Sequence, residues 1–216
     1  MVMNAGLTLR STGRASSWLL LGERHCGAPV TLRVSRQKRT IADHSRSRMV
    51  NIADASTPLQ LDAVRELMRS FIAWHRERHV QDIQLIDEYF GTSAFDDELR
   101  SLPGDYSPPR GRLLLATVQQ QPTGCVALRS INDEYCEMKR MFVYPRFRGQ
   151  GSGLALATRL IENARAAGYR AMRLDTSIRQ AEAKGLYSRL GFRIIEPYYE
   201  LPPKMRDWLV FMELEL

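Results

Sequence analysis

The chain has little cysteine, little histidine and no long apolar run. Its three cysteines are Cys26, Cys125 and Cys136. That odd count, with no C-x-x-C spacing, argues against a disulfide framework and a cysteine zinc site, and for a reducing compartment. Two of the four histidines, His75 and His79, stand four apart on one side of a helical stretch. No acidic or cysteine residue shares ligand spacing with them, so a surface pair is expected and no metal site. The apolar patch Trp18-Leu19-Leu20-Leu21 is too short for a signal core or a membrane span. Nothing else reads as membrane-bound, and no internal repeat is apparent.

Most of the chain also lacks any excess charge. The net charge is +7, and residues 1–48 carry all of it: eight Arg and one Lys against Glu23 and Asp43. Residues 49–216 balance at 22 basic and 22 acidic groups. The basic character therefore belongs to the N-terminal stretch, which removes most of the case for a nucleic-acid-binding domain. A nucleic-acid role through that arm would vanish in a chain starting at Met49. Three readings of residues 1–48 stay open: an upstream translation start with Met49 the real one, an organelle transit peptide, or a disordered basic arm. The expected organisation is a basic extension, 1–48, and one domain, 49–216. The expected location is cytoplasmic, with organelle targeting left open.

A hydrophobic share of 44% supports an ordinary core. Residues 50–55 read as a strand. Leu61, Val64, Leu67, Met68, Phe71 and Ile72 recur at helical spacing after Pro58. A second helical region, 83–99, breaks near Gly91. Strands follow at 112–119, 125–128 and 135–143, with turns at 120–124 and 132–134. Beyond a helix starting near Ser152 come a strand at 169–176, a helix at 178–190 ending at Gly191, a strand at 192–195 and a last strand at 209–216. A meander feeding a strand–helix–strand unit predicts an α/β fold, with a mixed, mostly antiparallel central sheet flanked by helices.

The most specific signal is Val143-Tyr-Pro-Arg-Phe-Arg148-Gly149-Gln150-Gly151-Ser152-Gly153. Alternate glycines let a ligand approach the backbone, and a helix start behind them offers unpaired N–H groups and a positive dipole end. That combination holds anions, phosphate above all. No Lys follows these glycines, so a P-loop is excluded. The dinucleotide fingerprint puts Leu154 or Leu156 in its last place and fails as well.

Arg148-x-x-Gly151-x-Gly153, after a strand ending at Val143, resembles the pyrophosphate loop of the GNAT superfamily of acyl-CoA-dependent N-acetyltransferases. Ala183-x-x-Leu186-Tyr187-x-x-Leu190-Gly191-Phe192 resembles the second diagnostic motif of that superfamily. One departure is visible: where an Asn is usual, seven residues before the Tyr, this chain has Gln180. The resemblance implies a GNAT fold, with the fourth and fifth strands, 135–143 and 170–176, splayed around acetyl-CoA. It further implies that backbone groups of 149–153 (Gly149, Gln150, Gly151, Ser152, Gly153) and Arg148 hold the pyrophosphate. Met141, Phe142, Val143 and Gln180 would then contact the pantetheine arm.

By the same resemblance Tyr187 is the acid that protonates the departing thiolate; packing on its helix is the plainer alternative. Glu137 is a candidate base, acting directly or through water, or else an exposed strand carboxylate. The implied activity moves an acetyl group from acetyl-CoA to a primary amine within a ternary complex, without a metal. The alternative is a non-catalytic acyl-CoA-binding effector domain. Expected partners are a small-molecule or peptide amine acceptor, with no nucleic acid and no membrane, and a homodimer is left open. Six acids and no basic residue between 81 and 98 suggest an anionic lip for a cationic amine, or a solvated helix face. Tyr198 and Tyr199, before Pro202-Pro203, suggest an aromatic wall over the acceptor, or loop packing.

Overall fold

The computed structural model describes residues 49–216, apart from the Thr92 side chain. The expected extension, 1–48, and Cys26 within it, lie outside the described residues. Val50–Asp54 forms β1, and Pro58–Arg78 forms α1. Helix α1 starts on a reciprocal cap: the Gln60 amide donates to Thr57 Oγ1 at 3.3 Å, and the Thr57 amide donates to Gln60 Oε1 at 3.0 Å. Helices α2 (Ile83–Phe90) and α3 (Thr92–Ser101) meet at Gly91, as the break in periodicity implied.

Strands β2 (Arg112–Val118), β3 (Gln121–Ser130) and β4 (Tyr135–Val143) form the antiparallel meander. Strand β3 begins earlier than its sequence suggested. The chain reverses at Gln119-Gln120, both with positive φ (51° and 65°), as a two-residue hairpin turn requires. A register shift between Ala116 and Thr117 then seats Pro122 opposite Thr117. Next come α4 (Ser152–Ala166), β5 (Ala171–Ser177), α5 (Ala181–Arg189), β6 (Arg193–Ile195), α6 (Pro203–Trp208) and β7 (Leu209–Glu215). Helix α5 starts three residues later than expected, because the Gln180 amide turns back to the Ser177 carbonyl. Helix α6 was hidden behind Pro202-Pro203, which reads as a loop although Pro203 suits a first helical position.

The seven strands run β1-β2-β3-β4-β5-β7-β6, antiparallel throughout except for β4 beside β5. A core lies on each face. Leu67, Ile86, Phe90 and Trp208 pack against one face; Leu156, Leu160, Met172 and Tyr187 pack against the other. Strand β2 serves both, with Leu113 and Leu115 on the first side and Leu114 and Ala116 on the second. This explains its unbroken apolar run. Each fully buried leucine contributes about 1.5–3 kcal/mol.

Two irregularities position the site. Strands β4 and β5 pair only at Tyr135–Glu137 with Ala171–Arg173, then separate, while β5 keeps β7 as a partner through Ser177. Between Cys125 and Ala127 the register of β3 on β4 shifts, and Arg140 takes a φ of 57°. This bulge turns consecutive residues, Lys139 and Arg140, toward the α1–α3 side, where Lys139 meets Tyr89 and Arg140 meets Glu98.

Candidate active site

Where β4 and β5 part, a cavity of about 800 Å³ opens between the glycine turn, α1, α2, α5 and α6. At one end, Gly149 and Gly151 have φ values of 73° and 87°, and a Cβ at either would meet nothing within 4 Å. Glycine is needed there for conformation, and the space in front of the turn is open. Gly151 is the N-cap of α4 and supplies no side chain, so this helix start, unlike that of α1, keeps its amides free. Gly153 has an ordinary φ, and a Cβ there would lie 3.6 Å from Leu186. Ser152 is buried with its hydroxyl unpartnered.

Arg148 donates from Nε to the Val143 carbonyl at 3.0 Å, and its guanidinium sits 4.0 Å from the Trp74 ring centroid. Gln150 turns away, donating to the Arg146 carbonyl. Beyond Glu137, β4 has no partner on its β5 side, so Met141, Phe142 and Val143 line the cavity with one edge of their backbone unpaired. Gln180 stands at the N-cap position of α5 without a side-chain capping bond, and lines the cavity.

Tyr187 is buried on α5 against Phe192, and its hydroxyl has no hydrogen-bond partner among the described residues. Burial, and then the charge of Asp175, push its pKa up, so the phenol keeps its proton. Of the residues singled out from sequence, nine meet at this one cavity: Met141, Phe142, Val143, Arg148, Gly149, Gly151, Gly153, Gln180 and Tyr187. Ser152 and Gln150 lie beside it.

Glu137 does not line the cavity. It is 1% exposed, not an exposed strand carboxylate. It takes a 2.6 Å ion pair from Arg129, a 2.6 Å bond from the Tyr198 hydroxyl and a 3.5 Å contact from Lys139. Two carboxylates line the cavity instead, Asp175 on β5 and Glu182 on α5, and Asp175 is the buried one. Tyr89 donates to its Oδ1 at 2.5 Å, and Lys139 and Tyr199 donate to Oδ2 at 3.2 and 3.1 Å. Burial raises the pKa of Asp175, but the Lys139 ammonium and these hydrogen bonds outweigh it and hold the carboxyl below its usual range. Sequence reading missed Asp175; its one local signal is an acid on β5 beyond the point where the strands part.

One other expectation is corrected and two open readings are narrowed. His75 and His79 are buried rather than a surface pair, with ring centroids 4.9 Å apart among Phe71, Trp74, Phe90 and Trp208. The acidic lip is mostly neutralised: Asp82, Asp87, Glu88, Asp97 and Glu98 pair with Arg179, Arg76, Lys204, Arg100 and Arg140. Tyr198 and Tyr199 pack on Phe211, at 5.3 and 5.2 Å between centroids, and point their hydroxyls at Glu137 and Asp175.

Burial, and then the neighbouring His79, lower the pKa of His75 to about 4 from 6.5. Its unfolded form therefore binds the proton first, so stability is full above pH 6.5 and is lost as the pH falls toward 4. Denaturant unfolding across that range should show a falling free energy in the wild type, and a flatter profile in His75→Phe. Equal slopes would refute this assignment.

One cavity thus joins an opened parallel strand pair, a glycine-initiated helix start without a side-chain cap, and a protonated tyrosine. Comparison with known proteins identifies the family. Residues 80–192 match the acetyltransferase (GNAT) family. An uncharacterized N-acetyltransferase of Schizosaccharomyces pombe is 38% identical over 124 residues, 56% of this chain and 74% of that protein. IAA acetyltransferase of Azospirillum brasilense is 37% identical over 141 residues, 63% of this chain and 90% of that protein. The solved PaiA N-acetyltransferase of Thermoplasma acidophilum, in complex with coenzyme A, shares the fold. Its TM-score is 0.58 at 15% identity, covering 78% of this chain and 99% of that one. The chain belongs to the GNAT family and is an N-acetyltransferase. No helix among the described residues is long and apolar enough to cross a membrane. No cluster of three or more His, Cys, Asp or Glu with metal-binding geometry occurs among them.

Proposed function

We propose that the protein transfers an acetyl group from acetyl-CoA directly to a primary amine, with both substrates bound at once. The observation that carries this reading is the convergence on one cavity of free helix amides, an unpaired β4 edge and the Tyr187 hydroxyl. Such a surface fits acetyl-CoA, which has a pyrophosphate, an arm of amide groups and a thioester. In this reading the amides of 149–153, with Arg148, bind the pyrophosphate. Met141, Phe142, Val143 and Gln180 supply hydrogen bonds to the pantetheine arm.

Tyr187 gives its proton to the departing sulfur. Asp175, kept ionised, draws the ammonium of the acceptor to the cavity. The ammonium gives one proton to solvent, and the free amine attacks the thioester carbon as the C–S bond breaks. The second proton shed by the nitrogen returns to Tyr187 through water. Glu137 shares Lys139 with Asp175 and serves as a positioning residue behind it. No step in this scheme needs a metal. The family relationship makes the enzyme reading stronger than a silent acyl-CoA-binding domain.

The test is calorimetric titration of the full-length protein with acetyl-CoA, followed by thiol release against a panel of small amines and peptides. Binding in the range of about 1 μM to 1 mM is expected, with acetylated amine formed in step with free thiol. Absence of binding would sink the proposal. Binding without acetylation of any amine would return the effector reading.

A further inference from the structure

The wall of the cavity formed by α1, α2 and α6 is built almost wholly of rings. Phe71 lies 5.6 Å from Phe90 and 5.8 Å from His75, between ring centroids. His75 lies 5.8 Å from Trp208, Trp208 lies 5.9 Å from Tyr89, and Tyr89 lies 5.0 Å from Phe90. All five line the cavity, in edge-on or tilted contacts. Trp74 lines it too, but carries Arg148 on its face and so belongs to the glycine-turn end.

The charges on this wall are already matched. Lys139 is bound to Asp175 at 3.2 Å and to Glu137 at 3.5 Å. Arg140 is paired with Glu98 and lies 5.4 Å from both the Phe90 and Phe95 ring centroids. Neither cation is spare for a carboxylate or phosphate on the acceptor; the other arginines that line the cavity are Arg148, beside the glycine turn, and Arg189, on α5. Taking either one would strand a buried acid. The acids are equally few. Asp175 is the carboxylate of this wall, and Glu182, at the glycine-turn end, is held by Arg78 at 2.6 Å. A polycationic acceptor would find one anion where it needs several. His75, whose folded pKa is about 4, stays neutral and adds no charge near pH 7.

We propose that the acceptor is a primary amine on an otherwise uncharged aromatic scaffold, its ring against Phe71, Phe90 and Trp208 and its nitrogen toward Asp175. This specifies the substrate class of the acetyl transfer proposed above and rests on it. Aromatic pairs favour edge-on and offset contacts over a featureless apolar fit, so this wall discriminates ring from chain. The Asp175 carboxylate at its edge, already paired with Lys139, orients the amine by accepting a hydrogen bond on a remaining lone pair rather than by free charge.

The experiment measures kcat/KM of the full-length protein with acetyl-CoA and four acceptors: 2-phenylethylamine, n-hexylamine, phenylalanine and spermidine. The first is expected to exceed each of the others by about tenfold, the scale of an aromatic preference added to matched burial. In Phe90→Leu and Trp208→Leu the ratio of 2-phenylethylamine to n-hexylamine should fall below about threefold. A ratio measured on one protein sample is insensitive to how much of the variant is folded. Hexylamine equal to phenylethylamine, or preference for phenylalanine or spermidine, overturns the aromatic assignment while amine acetylation stands. Coenzyme binding with none of the amines acetylated overturns both.

Discussion

Gly151→Val lowers the affinity for acetyl-CoA by about 100-fold or more, a loss of about 2.8 kcal/mol at 1.4 kcal/mol per tenfold. The residue holds a φ of 87° at the start of α4, which a β-branched side chain strongly disfavours. Either the turn bears strain of about 1–3 kcal/mol, or it relaxes and re-aims the amides that the pyrophosphate needs. Both routes damage binding more than folding, because the added side chain enters open space and not the core. The thermal midpoint should fall by only several degrees. Gly153→Ala is the control: its ordinary φ and 3.6 Å clearance from Leu186 predict affinity within about threefold of wild type. Calorimetry on both variants decides the matter. Wild-type affinity in Gly151→Val would remove the turn from the coenzyme site.

Tyr187→Phe is expected to lower kcat by about 10- to 100-fold while the KM for acetyl-CoA stays within about twofold. General acids are typically worth 10²–10⁴-fold, and a thiolate leaves tolerably without help, which places this case at or below the foot of that range. The ring packs against Phe192, and phenylalanine preserves that contact, so folding is spared. Loss of the hydroxyl strands no neighbour, since it has no partner among the described residues. Steady-state kinetics with saturating amine separates the two constants. An unchanged kcat would leave Tyr187 a packing residue.

The half of the cavity proposed for the coenzyme was legible because its signals are local. The glycine turn, the helix behind it and the spacing from Gln180 through Tyr187 to Phe192 each lie within a dozen residues or so. The hairpins and the apolar stripe of α1 were legible for the same reason. The acceptor half was not, because long-range partners build it. Asp175 gains its meaning from Tyr89, Lys139 and Tyr199, three residues on separate elements. Read alone, 81–98 is a run of acids; in the fold Arg179 and Arg140 reach it from distant parts of the chain. The pair His75 and His79 has surface spacing, yet α6 supplies a tryptophan that helps cover it. Glu137 was placed on the right strand, but the bulge at Arg140 lies beyond it, and no pattern of residue types announced where the strands would part.

The parting of β4 and β5 has a consequence for how long the protein lasts in a crowded solution. Exposed strand edges template pairing with other chains, and most sheets carry theirs at the rim, where they must be blunted. Here two further edges face each other inside the sheet, walled by α1 on one side and α5 on the other. A foreign strand cannot easily approach them, but a slender ligand with amide groups can enter between them. On the proposed function the coenzyme acts as a removable length of β-structure, and its supply sets how often the sheet stands with its interior edges bare.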